Sequence, residues 1–180
     1  MGPRAMTKRK AQLRGAAIKP TDSCYEEARG VCSAMISPKR PLIARCADAA
    51  DVIAAVQSAR HQEFRVLIRC GGHGDGGLGV RDDGLVVNHP LIKYAHVAPA
   101  TRAFPVGVGR TVGDADHATQ ALQLADPSGI ISTTGVYGST LGESIGYLTR
   151  NSGLAIDNLL ASDVVLATVS FVSQLDRRTC

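Results

Sequence analysis

The placement of glycine limits this chain more than any other feature. Of 19 glycines in 180 residues, 16 fall between Gly71 and Gly153, and six of those fill nine positions from Gly71 to Gly79. Glycine admits backbone conformations closed to other residues, and in a helix interior it costs about 1 kcal/mol relative to Ala. The backbone specialities are therefore concentrated in the middle of the chain, and that is where a site is expected.

Regular elements are read from the segments before and between these glycines. Thr21-Asp22 predicts a helix cap with the helix running to about Met35, and Pro38 and Pro41 interrupt the chain before a short apolar run, Leu42 to Cys46. Asp48 opens a helix over Ala49 to Arg60, with Val52, Ile53 and Val56 on one face, and Arg65 to Arg69 follows as a buried strand. Further strands are expected at Gly84 to Asn88, at about Phe104 to Val108 and at Lys93 to Val97. A helix is expected over Asp114 to Leu124, and Asp157 to Ala167 ends in the apolar run Val164 to Ala167, which reads as a strand.

Composition excludes several classes. A hydrophobic fraction of 44% with 20% charged residues is that of a globular chain, and no run of 18 apolar residues offers a membrane span. Aromatics are 4% with no Trp, which argues against stacking platforms for single-stranded nucleic acid. Six of the 20 basic residues precede the first acid, Asp22, leaving 14 basic against 16 acidic in the body. No nucleic-acid footprint is expected from such a body. Residues 1–20 read as a basic, disordered tail without the apolar stretch of a secretory signal. Five cysteines, Cys24, Cys32, Cys46, Cys70 and Cys180, lack paired spacing. Neither a disulfide framework nor a zinc site is expected, and a cytoplasmic setting is the simplest reading.

Two glycine-rich segments carry the chemistry. The first, Arg69-Cys-Gly-Gly-His-Gly-Asp-Gly-Gly-Leu-Gly79, follows a strand, and residues 74–79 match G-x-G-x-x-G. No helix signal follows Gly79, so a Rossmann pyrophosphate site is not expected. What remains is a loop whose amides can converge on an anion, with Arg69 supplying positive charge. The bland alternative is a flexible surface loop. The second segment spans Pro127 to Gly146, with glycines at 135, 138, 142 and 146, and reads as tightly turned backbone wrapping something flat. His117 with Asp114 could present two ligands on one helix face, but no third partner is visible and an exposed polar face is the simpler reading. Histidines 89 and 96 carry no pattern. Cys70 is either a reactive thiol or a small side chain tolerated at a strand end.

Arg-x-Gly-Gly-His-x-x-x-Gly-Leu from Arg69, Pro-Ser-Gly-Ile-Ile-Ser-Thr-Thr-Gly-Val-x-Gly-x-Thr-Leu-Gly from Pro127, and Gly-Leu-x-Ile-Asp-Asn-Leu-Leu from Gly153 together resemble the FAD-binding (PCMH-type) domain of berberine-bridge-like, vanillyl-alcohol-oxidase-type oxidoreductases. The resemblance runs from about Leu13 to Val172. It implies an α+β fold of two α/β subdomains, at 41–100 and 101–173, within an FAD-binding domain at 21–173, incomplete at its C-terminus and followed by a tail at 174–180. It also implies that His73 is the residue whose ring nitrogen bonds covalently to the 8α carbon of FAD. Cofactor contacts are implied for Arg69, Cys70, Gly71, Gly72, His73, Gly74, Leu78 and Gly79, and for Thr134, Gly135, Tyr137, Gly138, Leu141, Gly142 and Gly146. Asn158, Val164 and Val165 complete that set. Ile131 stands where some relatives carry a second linking Cys, so a single link is implied.

The resemblance has departures. Glu143-Ser144 replaces a Gly-Gly pair; an inward-facing Glu143 would oppose a diphosphate, whereas an outward-facing one would cost only backbone freedom. Cys32 and Val112 replace positions that are commonly aromatic. The parts of relatives that hold a small-molecule substrate and the catalytic base find no match here, so the chain alone is not expected to turn over an alcohol or sugar. A remnant that binds flavin weakly or not at all is the alternative reading.

Overall fold

A strand-helix-strand unit organises the first half of the molecule. In the computed structural model, residues 13–37, 39 and 42–176 are described. The expected interruption at Pro38 and Pro41, most of the basic tail and residues 177–180 lie outside the described residues. Strand β2 (Leu42–Arg45) leads through helix α2 (Ala49–His61) to β3 (Val66–Arg69), and β4 (Leu85–Asn88) inserts between the two strands. Both β2 and β3 pair with β4 in parallel, while β1 (Ala16–Ile18) runs antiparallel along the outer edge of β2. The order is β1-β2-β4-β3.

Both faces of this sheet are covered, which is why its strands read as continuous apolar runs. On one face Ala44, Leu85 and Val87 pack with Val52, Ala55, Val56 and Ala59 of α2. On the other, Ile43, Leu67 and Val86 pack with Ile18, Val80 and the short helix α1 (Tyr25–Arg29). Asp48 caps α2 by accepting the Asp51 amide. One turn on, the buried Asp51 carboxylate accepts the amides of Arg14, Gly15 and Ala47, which ties the start of β1 to the head of α2.

Several sequence expectations need correction. The segment 1–20 is not all tail, because Ala17 and Ile18 of β1 are buried against the sheet. The helix expected from Thr21 to Met35 is reduced to five residues. Asp22 accepts the Lys19 amide in a local turn instead of capping, and Gly30 takes an extended backbone at φ −57°, ψ 139°. The strands expected at 93–97 and 104–108 form only isolated antiparallel bridges, Ala95 to Val106 and Ala98 to Ala103. Pro99 and Pro105 lack the N–H groups a longer ladder would need.

In the second half, α3 (Val112–Gln120) starts two residues earlier than expected. Thr111 is its cap and Asp114 closes a capping box. Three short helical turns follow: α4 (Val136–Leu141), α5 (Thr149–Ser152) and a 3₁₀ turn at Ala155–Asn158. The hairpin of β5 (Ala161–Val165) and β6 (Phe171–Asp176) ends the described chain, so the strand runs three residues into the segment read as a tail from 174. Val165 and Val169 from this hairpin pack against the α2 face of the main sheet. Among the described residues no helix is long and apolar enough to cross a membrane.

Candidate functional site

The loop that leaves β3 and the segment that enters α4 cross at two glycines. A Cβ on Gly71 would stand 2.5 Å from the Gly135 nitrogen, and a Cβ on Gly135 would stand 2.7 Å from the Gly71 nitrogen. No side chain fits at either position without separating the backbones. Backbone bonds hold the second segment in place: Val112 N–H donates to Thr134 O, and Val136 N–H donates to Arg110 O. As the sequence predicts, the first loop enters β4 with no helix, so the Rossmann reading is excluded.

Beside this crossing lies a cleft of about 450 Å³. Its wall includes Arg69, Cys70, Gly71, Gly72, His73, Gly74 and Gly79 from the first segment, and Thr134, Gly135, Tyr137, Gly138 and Leu141 from the second. Two segments some sixty residues apart therefore share one cavity. Leu78 is 89% exposed, and Gly142, Gly146, Asn158, Val164 and Val165 are not on this wall. The Asn158 amide donates to Ser152 O and Leu154 O, both at 2.9 Å, and so shapes the 3₁₀ turn. Gly146 passes against the Ser128 carbonyl, where a Cβ would stand 1.8 Å from the oxygen. Val31, Ile68, Gly77, Val80 and Ser139 also line the cleft without having been singled out. Gly77 could have been included from its segment, but nothing in the sequence connects Val31 to a loop forty residues later.

Three features leave room and bonding capacity for a ligand. Cβ atoms built on Gly74 and Gly138 meet nothing within 4 Å, so protein packing does not require glycine at either position. The N–H groups of Gly71 to Gly76 donate to no acceptor among the described residues. The buried Ser139 hydroxyl has no hydrogen-bond partner. A cleft with open glycines, free amides and a largely apolar wall fits a flat ring system carrying phosphates.

Arg69 plays a different part from the one its motif suggests. Its side chain is buried, and its guanidinium donates to the carbonyls of Ala28 and Gly30, at the end of α1. Burial, with the like charge of Arg45 second, lowers its pKa. The positive charge therefore secures α1 to the sheet, and the loop amides are left to meet an anion. Cys70 lies on the cleft wall with its sulfur 3.9 Å from His89 Nδ1. Burial pushes the Cys70 thiol up to about 11 and favours neutral His89, which opposes a thiolate at Cys70. Burial likewise raises the Tyr137 phenol, with its bond to Ser162 acting in the opposite direction.

The remaining alternatives resolve simply. Asp114 is taken up by the Thr111 cap and by Arg110, and no group able to hold a metal occurs among the described residues. Glu143 is exposed and not on the cleft wall. Val112 is buried at 1% exposure, so a smaller side chain still fills its place, whereas Cys32 is exposed.

Comparison with known proteins agrees with this geometry. The family described as FAD binding domain matches residues 41–173. (R)-6-hydroxynicotine oxidase of Paenarthrobacter nicotinovorans is 31% identical over 156 residues, which is 87% of this chain and 34% of that protein. The solved structure of 6-hydroxy-D-nicotine oxidase from Arthrobacter nicotinovorans superposes with a TM-score of 0.86 at 31% identity, covering 89% of this chain and 35% of that one. BBE-like 1 from Physcomitrella patens gives 0.85 at 27% identity, over 96% of this chain and 38% of its own. The chain spans about a third of the length of these relatives. It belongs to the FAD-binding-domain family, with the PCMH-type fold found in berberine-bridge-like oxidoreductases.

Proposed function

We propose that this chain is the flavin-holding unit of an oxidoreductase acting on an organic substrate such as an alcohol or a sugar, with FAD in the cleft and a single covalent link through His73. The observation that carries the reading is the shared wall: His73, the glycines at 71, 72 and 74 of the first loop and Gly138 line one cavity. When bound, FAD supplies hydride acceptance from the substrate and passes the two electrons to an acceptor. The chain's own part is to hold and orient. Amides of Gly71 to Gly74 would receive phosphate oxygens, Gly74 and Gly138 would allow close approach, and Tyr137 and Leu141 would supply apolar contact. A neutral imidazole is a competent nucleophile, and His73 is half-buried on the wall.

Of the grounds for the weak-binding alternative, Glu143 alone is answered by the structure, because its exposure leaves that carboxylate in solvent. A reducing, cytoplasmic setting is part of the proposal, supported by free Cys24, Cys32, Cys46 and Cys70. The test is the absorbance spectrum of the purified chain before and after acid precipitation. Yellow colour that stays with the pellet in wild type, and becomes extractable in His73→Ala, is the expected result. Colour that washes out of both removes the covalent link but leaves FAD binding. No flavin uptake by the folded wild type removes the whole reading.

A further inference from the structure

His89 follows β4 with only 7% of its surface exposed, and no pattern in the sequence marks it. It meets the root of the first glycine loop twice. Just past the last paired residues of β4 and β3, Asn88 and Arg69, its backbone N–H donates to Arg69 O at 3.1 Å. Its ring Nδ1 lies 3.3 Å from the same oxygen. A carbonyl can only accept, so the ring nitrogen that faces it carries the proton. Burial favours the neutral ring, which leaves Nε2 as the unprotonated nitrogen.

Arg69 is the last residue of β3, and both its ends are held. Its guanidinium donates to the carbonyls of Ala28 and Gly30, while its own carbonyl takes the two His89 donors. Beyond it the support thins. The Cys70 sulfur rests 3.9 Å from the same Nδ1, Gly71 crosses Gly135, and Gly72 O accepts the Cys32 amide. The amides of Gly71 to Gly76 find no acceptor among the described residues. Glycine imposes little direction of its own, so the course of the loop is set where it leaves the sheet. That point is the Arg69–Cys70 peptide, and His73 stands four residues beyond Arg69. The backbone bond at position 89 forms with any residue but proline; the ring bond is what this side chain adds.

We propose that His89 is a positioning residue for the first glycine loop: its ring Nδ1–H holds the Arg69 carbonyl and so aims His73 and the loop amides at the cleft. The proposal rests on the FAD reading above. His89 is not on the cleft wall, so it acts through Arg69 and Cys70, which are. Preorganisation of this kind comes from residues behind a site whose own conformations are fixed by burial and hydrogen bonds.

The test uses the geometry of side-chain amides. The nitrogen of Asn stands in the place of Nδ1 and that of Gln in the place of Nε2, so His89→Asn keeps the donor facing Arg69 O and His89→Gln does not; His89→Leu removes it at similar volume. Each folded variant is saturated with FAD, the rate at which flavin becomes acid-stable is followed beside the FAD dissociation constant, and nitrogen NMR of the ligand-free wild type reads the tautomer. The expected results are a ring protonated on Nδ1, attachment slowed at least about tenfold in His89→Leu and His89→Gln, and a rate near wild type in His89→Asn. A merely structural role would lower the urea midpoint of His89→Asn and His89→Gln alike without separating their rates. If His89→Leu does not fold, the comparison of His89→Asn with His89→Gln carries the test. A wild-type rate in His89→Gln, a rate in His89→Asn as slow as in His89→Gln, or a ring protonated on Nε2 overturns the role and leaves the flavin reading standing. Where folded wild type binds FAD without acid-stable attachment, the covalent link falls and the dissociation constants decide: an increase of about tenfold in His89→Gln but not in His89→Asn upholds the role, and equal values overturn it. A folded wild type that takes no FAD overturns the flavin reading and the role together.

Discussion

Glu143 has a backbone φ of 56°, in the left-handed region that glycine occupies without penalty. A side chain there costs about 1–2 kcal/mol, partly offset by the roughly 0.5–1 kcal/mol of unfolded-state entropy that glycine would lose. Glu143→Gly is therefore expected to stabilise the chain by about 0.5–1 kcal/mol, measured as a higher urea midpoint with an unchanged slope. An unchanged or lower midpoint contradicts the strain argument. The departure from a Gly-Gly pair was legible in the sequence, and so were its two costs, electrostatic if Glu143 faces inward and only backbone freedom if it faces outward. The exposed side chain at positive φ is the outward case, a choice that only the structure makes. Arg69 teaches the same lesson, since its position beside the loop could be read and its carbonyl partners forty residues upstream could not.

Helix α4 is the element least expected from its residues, with a glycine at its third position. Six residues do not sustain a helix by propensity alone. This one is held by the buried Val136, by the bond from Val136 N–H to Arg110 O and by the close crossing of Gly135 over Gly71. Gly138 contributes nothing to that packing. Gly138→Ala should then raise the stability of the ligand-free chain by about 0.5–1 kcal/mol, the helix propensity difference, while weakening FAD binding because its methyl group projects into the cleft. Opposite signs in thermal unfolding and in FAD titration are the signature. Equal FAD affinity in the variant would mean that the open flank is not a cofactor surface. Elements with strong local signals, such as α2 with its Asp48 cap, were legible within a residue or two. Those expected at 21–35, 93–97 and 104–108 were shortened by contacts and prolines that act beyond a local window.

At the scale of the whole molecule, two thiols, one buried and one half-buried, set a limit at alkaline pH. Burial raises the Cys46 thiol to about 12, with Asp51 and Asp48 adding to the shift, and the Cys70 thiol to about 11. Both groups keep their protons in the folded chain to higher pH than in the unfolded chain, whose thiols ionise near 9. Their contribution to stability is complete below about pH 9 and is lost as pH rises towards 11–12. Urea unfolding at pH 7.5, 9 and 10.5 should show the midpoint falling only above about 9, with a shallower fall in Cys46→Ser. A midpoint in the variant that falls as steeply as in wild type would assign the alkaline loss to other groups.

The sequence by itself pointed to an FAD-binding domain, because the three motifs that carry the family resemblance are local properties that survive without a fold. It also determined the β2-α2-β3 unit and β4, whose apolar runs are long enough to name their state. Only the tertiary structure decided that Gly71 and Gly135 pack against each other, that the Arg69 guanidinium secures a helix, and that the His89 ring faces the Arg69 carbonyl. The reason is physical. Backbone preference and burial pattern act between near neighbours, whereas which strand inserts between which, and so which distant side chains share a face, is settled by long-range packing and pairing.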